Sequence, residues 1–181
     1  MNSIGSISRL FFQCLFLTLL LSCSSIKNTE KTGSSEVSAP HINCPEDGDC
    51  SFEIMKNSSL EFKYDDIGKL YPAIEPGDNM VVKYHYKRKP EPELMDSGYS
   101  EYVYIEFNPD SEQLILKDKE LQKVKMIFGR ICFCKGSMGY FPVNEGSLFL
   151  FNRGNNLQLR ASFNVKKVPQ IVTHIDENIK Y

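Results

Sequence analysis

Six cysteines have the widest chemical reach of any residues in this chain: Cys14, Cys23, Cys44, Cys50, Cys132 and Cys134. The last four form two close pairs, spaced C-x5-C and C-x-C. Four such thiols fit disulfides, a tetrahedral zinc site or a redox pair. Residues 124–134 are apolar on both faces, which places Cys132 and Cys134 on one strand with their side chains pointing the same way. Their β-carbons would then stand about 6.5–7 Å apart, whereas a disulfide needs about 3.5–4.5 Å. This geometry predicts crossed bridges, each joining Cys132 or Cys134 to Cys44 or Cys50. Such bridges close long loops and contribute up to about 4–5 kcal/mol in the chain-entropy account. A local Cys44–Cys50 bridge beside two free thiols is the alternative. Zinc fits less well, because structural sites favour C-x2-C to C-x4-C pairs. A redox Cys132-Phe133-Cys134 departs from the C-x-x-C at a helix start that redox centres favour. No metal or cofactor is expected.

The other reactive side chains are scattered. His41, His85 and His174 are the only histidines, and no two have a ligand spacing such as H-x-x-x-H. His85 lies on the polar face of a strand beside lysines; an envelope hydrolase with a site assembled from scattered acids and His85 is the alternative to a binding function. Lys135-Gly136-Ser137-Met138-Gly139 places lysine where a serine-nucleophile elbow requires glycine, so a hairpin turn is expected. Glu46-Asp47-Gly48-Asp49 lacks the closing glutamate of a calcium loop and reads as a turn. Tyr99, Tyr102 and Tyr104 are a possible binding surface, since exposed tyrosines supply contact area at low entropic cost; the competing reading is a strand covered on both faces. Basic and acidic residues number 21 and 23, which gives no basic surface for nucleic acid.

The amino terminus carries a targeting pattern. Residues 10–21, LFFQCLFLTLLL, form an apolar run behind a single charged residue, Arg9. Twelve residues span about 18 Å as a helix, short of the roughly 30 Å of a bilayer core. The run therefore has the size of a signal-peptide core. Leu20-Leu21-Ser22-Cys23 follows directly and resembles the lipobox of bacterial lipoproteins. The resemblance covers residues 1–23 alone. It implies a signal peptide over residues 1–22, cleavage before Cys23, and a diacylglyceryl thioether with N-acylation (palmitate-type chains) on Cys23. It also implies a cell-envelope location, and Ser24, which is not acidic, favours the outer membrane of a Gram-negative bacterium. Residues 23–43 then form a polar, lipidated tether of about 25 Å as a random coil. In an exported chain, an even set of four cysteines argues for disulfides.

Behind the tether, residues 44–181 read as one β-rich domain. Period-two alternation predicts strands around Phe52 and Ile54; Leu60, Phe62 and Tyr64; Val82, Tyr84 and Tyr86; Val103, Ile105 and Phe107; and Leu114 and Leu116. The clearest pair joins residues 147–151 to residues 157–165 through an Asn-Gly-rich loop over 152–156. Residues 119–125 allow a short helix, and residues 169–175 a last strand or a helical turn. Residues 65–79 and 89–100 read as long loops. About nine strands predict a single antiparallel β-sandwich or a partly open barrel. The expected function is a membrane-anchored, non-enzymatic binding or structural domain, its partner an envelope protein or other envelope component.

Overall fold

The computed structural model describes residues 34–36, 44–90 and 98–181. The leader, Cys23, His41, most of the expected tether and part of the second expected loop lie outside the described residues. The described chain is all-β and antiparallel, with eleven strands and one 3-10 turn among the described residues. The strands are β1 (Ser34–Glu36), β2 (Gly48–Tyr64), β3 (Leu70–Pro76), β4 (Asn79–Arg88), β5 (Tyr99–Phe107) and β6 (Gln113–Lys117). The turn (Asp118–Val124) precedes β7 (Ile127–Cys132), β8 (Gly139–Pro142), β9 (Gly146–Arg153), β10 (Asn156–Phe163) and β11 (His174–Lys180). One sheet runs β1-β2-β4-β5-β7-β8, with β3 also paired to β2, and curls into a half-barrel. The other runs β11-β10-β9-β6.

The alternating rows explain why the sheets stack. Leu157, Leu159, Ala161 and Phe163 of β10 are all buried and meet Phe52, Ile54, Val82, Val103, Ile105 and Phe128 from the larger sheet. Each of these Leu, Ile, Val and Phe side chains contributes about 1.5–3 kcal/mol on burial. The larger sheet is covered on its other face too, where Met55, Leu60, Val81, Tyr104 and Ile127 form a second core and β3 approaches β8. Between Met55 and Ser58 the register of β2 against β4 slips by one residue, and Asn57 takes a φ of 51°. One extra residue inverts the in–out alternation of a strand. Phe52 and Ile54 therefore face the sandwich core, while Leu60 and Phe62 face the second. A buried carboxylate, Glu106, holds the bulge. It accepts from Asn79 Nδ2 at 2.9 Å and Ser59 Oγ at 3.2 Å, and pairs with Lys125 Nζ at 3.2 Å.

Several expectations need correction. The disulfides are local, Cys44 with Cys50 and Cys132 with Cys134, so the crossed pairing is wrong. The extended-strand argument fails because β7 stops at Cys132 and the backbone bends at Phe133, which brings the two Cα atoms to 5.2 Å. The same bonds occupy the sulfurs that a zinc site needs. Within the residues expected as tether, β1 pairs with β2. Residues 65–79 hold the return strand β3; its Pro72 and Pro76 sit on an edge, where proline is tolerated. The last strand is β11, later than residues 169–175. The β9–β10 connection is tighter than expected, with Asn156 paired to Arg153 around Gly154 at φ 63°. The turns at Asp47-Gly48 and after Cys134 form as expected.

Candidate functional site

β4, β5 and β7 are neighbours in the larger sheet, and the end of β4, the start of β5 and the end of β7 meet at one end of it. A cavity of about 820 Å3 opens there. Its wall is apolar: Ile131, the Cys132–Cys134 disulfide, Tyr99 and Pro90, with Phe133 and Met138 from the β7–β8 turn. Phe133 is 82% exposed and Met138 43%. Four cationic residues share the lining, namely Lys69 from the β2–β3 turn, Lys87 and Arg88 from β4, and Lys135. Cavities of about 300–1,000 Å3 with apolar walls and a few placed polar groups are typical of small-molecule sites.

A buried polar network fixes the wall. Glu101 is fully buried and accepts from the backbone N–H groups of Ile171 at 2.8 Å and Val172 at 2.7 Å, and from the Tyr99 hydroxyl. Tyr99 Oη accepts in turn from Arg130 Nε at 3.2 Å. Arg130 donates onward to the carbonyl and hydroxyl of Ser137 at 2.8 and 2.6 Å, which anchors the turn after Cys134. The Tyr99 ring carries Arg88 4.7 Å from its centroid and Arg130 at 5.2 Å. Burial, and then the hydrogen bond to Glu101, push the Tyr99 phenol up to about 12, so it remains a donor at neutral pH.

The three tyrosines do not form one exposed surface. Tyr99 faces the sandwich core, while Tyr102 and Tyr104 lie on the opposite face. There His85 stacks on Tyr102 at 4.3 Å, Tyr102 lies 6.4 Å from Tyr104, and Tyr104 lies 6.4 Å from Tyr140. Tyr104 is buried and Tyr102 is half-buried. His85 Nε2 lies 3.2 Å from Ser100 Oγ. Burial, with Lys83 and Lys87 nearby, holds the His85 pKa below its ordinary 6.5. On acidification the unfolded chain takes up this proton first, so stability is full above pH 6.5 and falls as pH drops through it. It levels off below the lowered folded pKa. His85→Gln is expected to flatten that part of a pH series of urea midpoints.

The sequence reading missed the cavity and the role of Glu101. The signal that was available is the cluster of exposed Phe133 and Met138 around Cys134, flanked by Lys135. Comparison of the chain with family models, with curated proteins and with solved structures gives no match. The class that the described residues define is therefore an all-β sandwich with a curled half-barrel sheet and a cavity at the ends of β4, β5 and β7.

Proposed function

We propose that the chain is a lipid-anchored protein of a bacterial cell envelope, outer membrane by its Ser24, whose β-domain is a non-enzymatic binding module. The single observation that carries the binding role is the cavity of about 820 Å3 at the ends of β4, β5 and β7. Its apolar wall and three lysines, with Arg88 paired to Asp47, match an amphiphile with an apolar body and an acidic head. The lipobox-like Leu20-Leu21-Ser22-Cys23 supports the anchor. A hydrolase could use the contact of His85 Nε2 with Ser100 Oγ at 3.2 Å, but the His85 ring is stacked on Tyr102 and Glu101 is taken up by its clamp, so the binding role is preferred.

Titration with a fluorescent long-chain carboxylic acid and with its alcohol tests the reading. The acid is expected to bind saturably and more tightly than the alcohol. Reversing two rim charges, Lys87→Glu with Lys135→Glu, is expected to weaken the acid by about tenfold, since exposed charge pairs contribute up to about 1 kcal/mol each. The alcohol is expected to change little, while Phe133→Ala weakens both. Absence of saturable binding of either probe, or equal affinities indifferent to all these substitutions, sinks the proposal.

A further inference from the structure

The Cys132–Cys134 disulfide does little as a staple. It closes a loop with one residue between its ends. A crosslink stabilises by removing conformations from the unfolded chain, and the gain shrinks with the loop. The backbone here is also held by other means. Cys132 pairs with Tyr99 across β7 and β5, Arg130 grips Ser137, and the Ser137 N–H donates to the Cys134 carbonyl at 3.3 Å. The Cys44–Cys50 bond is a different case. It spans a separation of 6 at the entry to β2, and Cys50 Sγ accepts from the Tyr84 hydroxyl at 2.9 Å.

The placement of the bond gives it a chemistry. Both sulfurs' residues line the cavity. Cys132 is 8% exposed, whereas Cys134 is half-buried. Cys134 is thus the more exposed residue of the pair, which makes its Sγ the point of attack for a thiolate entering through the cavity and Cys132 Sγ the leaving atom. Lys69, Lys87 and Lys135 share that lining with Arg88, which is paired to Asp47 at 3.3 Å; a cation beside a cysteine favours its thiolate form and apolar burial opposes it. A better-stabilised leaving thiolate speeds exchange. Phe133 stands between the two cysteines, 82% exposed, with Met138 close by in the chain. Together they give an apolar polypeptide segment a surface to lie on.

We propose that Cys132–Cys134 is an exchangeable disulfide that accepts two electrons from a dithiol in an apolar polypeptide segment seated at the cavity. The first substrate thiolate attacks Cys134 Sγ. The Cys132–Cys134 bond breaks, and its electron pair leaves on Cys132 Sγ, which takes a proton. The second substrate thiolate attacks the substrate sulfur of the mixed disulfide, and Cys134 Sγ leaves and is protonated. The substrate is oxidised to a disulfide, and the cysteine pair is reduced to two thiols. The disulfide of a partner thiol oxidoreductase would reoxidise it by the reverse steps. This redox activity goes beyond the non-enzymatic binding role proposed above and stands whether or not the cavity also takes an acidic amphiphile.

A redox titration of the full chain, purified in detergent, tests it. Samples are equilibrated in graded mixtures of reduced and oxidised glutathione, quenched and alkylated, and each pair is read by peptide mass spectrometry. At the mixture that opens half of Cys132–Cys134, about nine-tenths of Cys44–Cys50 is expected to stay closed, roughly a tenfold difference in exchange constant, with the circular dichroism unchanged. A reduced peptide carrying two cysteines among apolar residues is expected to become oxidised in equal amount. In the single variants, activated with a thionitrobenzoate leaving group, Cys132→Ser is expected to capture the peptide on Cys134 about tenfold faster than Cys134→Ser captures it on Cys132. If both pairs open together, or Cys132–Cys134 opens only when urea unfolds the chain, the proposal fails on wild type alone. It fails equally if the pair opens but leaves the peptide reduced. Neither result bears on the amphiphile titration.

Discussion

Glu101→Ala is expected to lower folding stability by about 3–5 kcal/mol, the range for breaking a buried charge network by removing one partner. The carboxylate has no exposed surface, and it is the acceptor for two backbone N–H groups at Ile171 and Val172 and for the Tyr99 hydroxyl. Glu101 also stands directly opposite Arg130 across β5 and β7, and Arg130 is itself only 8% exposed. Alanine would leave both N–H groups without an acceptor and the guanidinium without its nearby negative charge. An orphaned buried donor costs about 1–3 kcal/mol, more when charge is involved. Glutamine keeps one acceptor oxygen and removes the charge, so Glu101→Gln is expected to cost about half as much. Urea unfolding with an unchanged slope measures both losses. A loss below about 1 kcal/mol for the alanine variant would mean that water or a rearranged neighbour replaces the carboxylate.

The second large effect concerns the anchor. Wild-type chain expressed in a Gram-negative host is expected to incorporate labelled palmitate and to begin at Cys23. Cys23→Ser is expected to lose the label entirely and to retain residues 1–22, because the lipoprotein resemblance makes cleavage follow lipidation. Each buried methylene contributes about 0.8 kcal/mol, so several acyl chains make membrane attachment all-or-none. Replacing residues 1–23 with a cleavable secretory leader is therefore expected to release the domain from pelleted membranes. Label retained on Cys23→Ser would remove the anchor from this cysteine.

The architecture was largely legible in the sequence because burial repeats with period two. The row Leu157, Leu159, Ala161, Phe163 and the doubly apolar β7 sit where their patterns predict. What escaped were departures from that period. β3 hides behind Pro72 and Pro76, which read as loop residues but are harmless on an edge. β11 hides because Glu177 interrupts the row of Ile175 and Ile179, and Glu177 is buried. The bulge at Met55–Ser58 makes one alternating run serve two faces, which no fixed parity predicts. The disulfides escaped because period-two alternation implies extended backbone through Phe133, where the chain turns. Tyr99 reads as lying just before the strand of Tyr102 and Tyr104, whereas β5 begins at it and its odd number places it on the other face. The cavity depends on which strand ends the sheet order brings together, a long-range property that no local spacing carries. Glu101 looks in sequence like any solvated acid, since nothing nearby in the chain names its acceptor role.

β2 runs for 17 residues and passes from one hydrophobic core to the other at its bulge. A strand threaded through both cores ties their melting together. Fraying at Leu60 loosens the hydrogen-bond ladder that holds Phe52 and Ile54, and the reverse holds equally. The half-barrel and the sandwich are thus one cooperative unit by construction, and a chain cut at Asn57 would lose the continuity on which both depend.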